Sequence, residues 1–280
     1  MVAKASLAVL GPFSFTLLRY IVAAITLFGL LRWRSGAIRW PGPVGWRLLA
    51  LGVVGFGLYQ VCWTVGLTQI TAGDSALIIA AAPVFTALLA AGFGLDRLTA
   101  PKLAGAVIAF AGVAIVVAEG SSISLGASLG GDLLTLAASL LWAAYTVGGA
   151  RMLREVDAVS ATAWSALGGI LFLVPFGVAE ILLSPPPDVT LGVVVGVVYS
   201  GSMAAAISIV LVMHGVAVIG PTRASSTQLL VPFGAVVLGA VFLAEPILLG
   251  QIAGGIIIVA GLLLTRRTSL GLHVRRWGTR

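Results

Sequence analysis

A chain of 280 residues that is 60% hydrophobic, only 9% charged and +7 in formal charge, with a mean hydropathy of +1.14, has too little polar surface to cover a water-soluble globule. Its basic residues sit at the ends of apolar runs without aromatic residues interleaved among them, which argues against nucleic-acid binding despite the positive charge. One cysteine, Cys62, excludes an intrachain disulfide and a thiolate metal cluster.

In chain order, Met1–Leu10 is apolar but too short to span hydrocarbon, and it lacks the charged region and cleavage site of a secretory signal. Nine runs of roughly 20 residues follow, long enough to cross a bilayer as helices that satisfy their own backbone. They cover Pro12–Leu31, Trp46–Thr68, Ser75–Leu95, Pro101–Ala118, Asp132–Arg151, Ser160–Leu183, Leu191–Met213, Ala224–Ala244 and Ile247–Thr265. Shifting residues 52–112 forward by 149 positions superposes Gly52 on Gly201, Gly66 on Gly215, Pro83 on Pro232, Asp96 on Glu245, Gly105 on Gly254 and Gly112 on Gly261. Such register marks a duplicated unit.

The second unit opens with the complete run Asp132–Arg151, where the first has only Met1–Leu10. Counting that stretch as an incomplete first helix gives five helices per unit, an odd number, and therefore two inverted repeats. The expected fold is an all-α polytopic membrane protein of two five-helix inverted repeats with the first helix truncated. Its expected boundaries are 1–118 for the first repeat, 119–131 for a connecting loop, 132–265 for the second repeat and 266–280 for a basic tail. Lys and Arg in short loops mark the cytoplasmic side. In this frame 14 of the 16 basic residues fall on one face, which puts the carboxyl terminus in the cytoplasm, with the tail against anionic lipid.

The segment Gly66–Leu95, GLTQITAGDSALIIAAAPVFTALLAAGFGL, followed by Asp96-Arg97-Leu98-Thr99 and then Gly105 and Gly112, resembles the EamA-type permeases of the drug/metabolite transporter superfamily. Thr222–Gly261, with Pro232, Glu245-Pro246, Gly254 and Gly261, is similar to the second copy of that unit. The resemblance covers essentially the whole chain. It implies a ten-helix, inverted-repeat secondary carrier that moves small metabolites, very often amino acids or related compounds, outward across a bacterial inner membrane.

A proline inside a helix lacks an N–H for the carbonyl four residues back. Pro83 and Pro232, matched between the units, therefore predict freed carbonyls at Ile79 and Gln228 near mid-membrane. The Gln228 side chain and Ser225, one turn earlier, are candidate substrate contacts, although polar residues also bridge helices in bundles. Tyr59 with Trp63, Trp142 with Tyr145, and Tyr199 with Ser202 are spaced three or four apart and form candidate cavity walls, with core packing as the alternative. Trp33, Trp40, Trp46, Trp164 and Trp277 read as interfacial anchors. Lys4 and Arg19 are the basic residues inside apolar segments and possible charged cavity residues; Arg19 could equally snorkel to the headgroups.

Asp74 and Asp132 fit helix capping, Glu180 is the one acid partly submerged, and His214 reads as a boundary residue. With two histidines and acids confined to helix ends, no catalytic constellation assembles. The glycines follow no strand, so no nucleotide motif is present. No cofactor or metal is expected. Membrane lipid and a small-molecule substrate are the expected partners, and the oligomeric state is not legible. A drug or amine efflux carrier of the same fold, a polytopic membrane enzyme and a non-transporting scaffold are the alternatives.

Overall fold

The computed structural model describes residues 9–70, 72–97, 99–120, 128–185, 189–231, 234, 237 and 248–267. Lys4, Asp188, Pro232, Glu245 and the segment 268–280 lie outside them. Nine rods are labelled here: α1 (Pro12–Ser35), α2 (Pro43–Leu67), α3 (Ala72–Ile79 and Ala82–Gly92), α4 (Ala100–Gly120), α5 (Leu129–Met152), α6 (Ala158–Leu183), α7 (Leu191–Ile219), α8 (Pro221–Thr227 in its first part) and α9 (Leu249–Arg267). Among the described residues, six rods are long and apolar enough to cross a membrane, and Ala100–Val116 and Leu249–Leu264 are shorter apolar helices. The chain is thus an all-α polytopic membrane protein, with no strand among the described residues.

Local chemistry sets the ends of these rods. Proline occupies the first turn of α1, α2 and α8, where its missing N–H costs nothing. Gly36 closes α1 in the left-handed region at φ 70°. Asp157 caps α6 by accepting from the N–H groups of Val159 and Ser160 at 3.0 and 3.2 Å. Ser128 caps α5 through Gly131, so Asp132 lies in the first helical turn and is not the cap. Helix α7 continues past Met213 to Ile219, which places His214 inside the helix on an exposed face.

Glu180, near the end of α6, accepts from both the N–H and the hydroxyl of Ser14 at 2.7 Å. The α1 N-cap, Gly11, has no side chain to do this. An acid from another helix therefore satisfies the opening turn of α1.

Lipid supplies no hydrophobic force between helices, so close backbone approach has to hold them together. The α4–α9 pair shows this most fully. A Cβ built on Gly112 would lie 2.7 Å from the Gly254 carbonyl oxygen, one on Gly254 would lie 2.7 Å from that of Gly112, and one on Gly261 would lie 2.6 Å from that of Gly105. The contact is antiparallel, and a two-fold exchanging α4 with α9 would generate this reciprocity from a 149-residue offset. Gly52 approaches the Ser165 carbonyl of α6 in the same way, and its offset partner Gly201 approaches the Arg19 carbonyl of α1.

Both rods that carry these glycines leave α geometry at matching places. Helix α2 is π-helical over Val53–Leu58 and α7 over Ser200–Ile207; the first range shifted by 149 falls within the second. Such widened turns change the phase of the side chains that follow and frequently occur at functional sites.

Gly254→Val places side-chain carbons against the Gly112 backbone. It should lower the thermal midpoint of the detergent-solubilised protein by several degrees, equivalent to about 1–3 kcal/mol of overpacking. Gly29→Ala, where a Cβ meets nothing within 4 Å, should leave the midpoint level or slightly raised. Equal effects from the two substitutions would contradict the packing argument.

Candidate functional site

The break in α3 builds the site. Pro83 cannot donate to the Ile79 carbonyl, and the predicted single helix Ser75–Leu95 divides at Ala80–Ala81. There Ala80 donates to the Ala76 carbonyl and Ala81 to that of Ile78. Beside this break lies a cavity of about 280 Å³, bounded by Tyr59 of α2, Ala76, Ile79, Ala80 and Pro83 of α3, Trp142 of α5, and Gln228, Leu229 and Val231 of α8. The wall is mostly apolar, with few polar groups, as in small-molecule sites generally.

Trp142 organises the wall. Its indole Nε1–H donates to Gln228 Oε1 at 3.1 Å across 86 positions of sequence. Its ring lies 5.4 Å from that of Tyr59 and 5.4 Å from that of Tyr145. Tyr145 is fully buried behind it, edge-on to Phe56 at 5.0 Å, and packed where Gly55 has no side chain. The other face of the Gln228 amide, Nε2, is buried without a hydrogen-bond partner among the described residues.

Of the residues expected to meet substrate, the structure gathers Tyr59, Ile79, Pro83, Trp142 and Gln228 around one cavity, with Tyr145 in the layer behind. Ser225 is fully buried, accepts from the Thr86 hydroxyl at 3.2 Å and ties α3 to α8 beneath the cavity. Trp63 donates to the Ser75 hydroxyl at 3.1 Å, joining α2 to α3 outside the cavity wall. Tyr199 is 59% exposed, and the Ser202 hydroxyl returns to the Val198 carbonyl, so neither lies at the cavity. The Gln228 backbone carbonyl is not free as expected. It accepts from the Val231 N–H at 3.0 Å, because the chain tightens to a three-residue turn there.

Arg19 is half-buried and does not run out to solvent. Its guanidinium sits 5.0 Å from the Tyr20 ring and donates to the Tyr20 hydroxyl, while its Nε is buried without a partner. Tyr20 donates in turn to Gln60 Oε1, and Gln60 donates to the hydroxyls of Thr16 and Thr64. Sequence reasoning missed this buried polar hub. Gln60, an amide inside an apolar run with Thr16 on a neighbouring helix, was its one readable sign.

At the end carrying Arg97 and Arg223, a second cluster closes the bundle. Asp96 pairs with Lys102 at 2.5 Å and accepts from the Arg97 N–H at 2.8 Å. Arg151 of α5 lies over the Phe93 ring at 4.5 Å. Burial pushes the Asp96 carboxyl upward, but Lys102, the nearby Thr222 hydroxyl and the Arg97 N–H outweigh it and hold the group below the ordinary carboxylate range.

A cavity beside a proline-broken helix, inside an all-α membrane bundle, is the kind of place where a membrane transporter holds a small molecule. The chain belongs to the EamA-like transporter family, whose sequence model matches residues 1–118 and 129–267. An uncharacterized transporter of Archaeoglobus fulgidus is 28% identical over 94% of this chain and 92% of its own length. A protein of Streptantibioticus cattleyicolor named a probable terminal-alkyne amino-acid exporter is 30% identical over 82% of this chain and 79% of its own length. One solved crystal structure shares the fold, with a TM-score of 0.79 at 18% identity over 96% of this chain and 93% of its own.

Because the folded Asp96 pKa is depressed, its stabilisation is present above the unfolded value near 3.9 and is lost as pH falls through the folded one. The thermal midpoint of Asp96→Asn should therefore lie a few degrees below wild type at pH 7 and at pH 5, with the gap closing only below about pH 4. A gap that closes between pH 7 and pH 5 would contradict this assignment.

Proposed function

We propose that the protein is a secondary carrier that exports amino acids or related small metabolites across the bacterial inner membrane by alternating access. The face bearing the arginines is cytoplasmic in this reading, as is the carboxyl terminus. The observation that carries it is the cavity formed where α3 breaks at Ala80–Ala81, faced by the Trp142–Gln228 pair. The named activity of the Streptantibioticus relative supports amino acids as the class.

The two halves, 1–118 and 132–265, would rock about this cavity. Three features support inverted repeats: the reciprocal glycine contacts of α4 and α9, the matched π-helical segments, and the 149-residue register. Toward the cytoplasmic side the cavity is underlain by Thr86–Ser225, and beyond that by the Asp96 cluster.

An enzyme is the poorer reading. Among the described residues, the cavity wall holds no nucleophile beside a general base. Glu180, Glu155 and Asp157 are bound to Ser14, Arg47 and the α6 N-terminus, away from the cavity.

The test is export of labelled amino acids from bacteria expressing the chain, compared with the variant Gln228→Ala at matched membrane abundance. Export should fall by at least about tenfold, the scale of losing one positioned polar contact. Export unchanged by Gln228→Ala would move the site elsewhere.

A further inference from the structure

We infer that Trp142 is a positioning residue that locks the Gln228 amide with its NH₂ toward the ligand, so that the cavity selects molecules bearing a carboxylate over cationic amines. This rests on reading the cavity as the transport site and gives that site a chemical sign.

The indole Nε1–H of Trp142 donates and cannot accept. The 3.1 Å contact therefore commits Gln228 Oε1 to Trp142 and leaves the two N–H bonds on the opposite edge of the amide. An amide in the open would present either edge, but here one orientation alone satisfies the indole. Nε2 is buried and has no partner among the described residues, so a ligand acceptor is what would complete it. The main-chain carbonyl of Gln228 accepts from the Val231 N–H, whereas that of Ile79, to which Pro83 cannot donate, remains a main-chain acceptor on the wall.

One half-buried cation, Arg19, adjoins the ring network behind the cavity, and one buried acid, Asp74, stands two residues before the lining residue Ala76. Arg19 lies seven residues into α1, and Tyr59 eight residues before the end of α2, which places both about 10–12 Å from the same end of the bundle. A run of ring contacts joins them through Tyr20, Phe56, Tyr145 and Trp142. Arg19 forms no ion pair among the described residues. Its positive field in a low-dielectric bundle favours an anionic group and opposes a lone ammonium. The rings of Tyr59 and Trp142, with Ile79 and Pro83, suit an apolar body on the same molecule.

The experiment is calorimetric binding to the purified full chain in detergent with three probes of one shape: L-phenylalanine, 3-phenylpropionate and 2-phenylethylamine. In the wild type the two carboxylates should bind at least about tenfold more tightly than the amine, since a site with an orphan donor rejects a ligand lacking an acceptor. Trp142→Phe keeps a ring but removes the indole N–H and frees the amide to turn. The preference should then shrink to within about threefold, whereas a merely structural role would weaken all three probes together. Gln228→Glu replaces the donor edge with an acceptor and should reverse the order in favour of the amine.

Equal binding of amine and phenylpropionate to the wild type, an unchanged preference in Trp142→Phe, or binding of none of the three would each overturn the inference. The carrier reading fails separately: the same binding order without movement of labelled phenylalanine across proteoliposomes would sink transport and leave the selectivity of the site standing. Transport of the amine in preference to the amino acid would do the reverse.

Discussion

Lipid accepts no hydrogen bonds, and that constraint governs the molecule. Every backbone amide in the hydrocarbon must find its partner within the chain, so the spans are helical and departures from α geometry are few. Those departures coincide with the parts that matter. Helix α3 breaks beside the cavity, α2 and α7 widen into π turns where they cross other rods, and Gly220 adopts φ 86° between α7 and α8. With no water to drive helices together, association depends on bare backbone. The glycines of α4 and α9 supply it by placing each helix against the carbonyl oxygens of the other.

The same constraint sorts the polar side chains. Most of those at the bundle interior are bound: Glu180 to Ser14, Gln60 to Tyr20, Thr16 and Thr64, and Thr86 to Ser225. Buried groups of this kind fix helix register because leaving one unpaired is costly. Against that background Gln228 Nε2, Arg19 Nε and Trp164 Nε1 are nitrogen donors without acceptors among the described residues, and the hydroxyls of Thr135, Ser139, Ser165 and Thr222 are buried and unpaired as well; Gln228 is the one of these that lines the cavity. A transporter has reason to keep such a group at the cavity. A contact completed only by the transported molecule ties conformational change to occupancy, since a ligand shifts an equilibrium by its differential affinity for the two states.

Much of this was legible in the sequence because it depends on local periodicity and on duplication. Apolar run length located the rods apart from the eighth, whose expected run Ala224–Ala244 lies mostly outside the described residues, and the heptad-spaced pairs Gly105–Gly112 and Gly254–Gly261 marked the faces that meet. Pro83 marked the break in α3 because a missing N–H is a property of the residue itself. Pairing across the fold was not legible. Trp142 and Gln228 could be named separately, yet nothing local says that an indole meets an amide 86 residues away. Tyr199 and Ser202 were misplaced because they flank the start of the π-helical stretch Ser200–Ile207, where a face assigned at 3.6 residues per turn loses its phase. The Gln228 carbonyl escaped for a related reason: proline removes one donor, and a tighter turn can supply another.

The central claim is that the space beside the α3 break is where the transported molecule sits. Its most direct test uses Ala80→Cys in a Cys62→Ser background, which makes position 80 the only thiol in the chain. The variant is reconstituted in proteoliposomes and labelled with a membrane-impermeant maleimide, with and without an amino acid shown to be transported. The account predicts that the thiol reacts and that the transported amino acid slows the reaction severalfold. Equal labelling rates with and without that amino acid, in protein that still transports it, would contradict the claim.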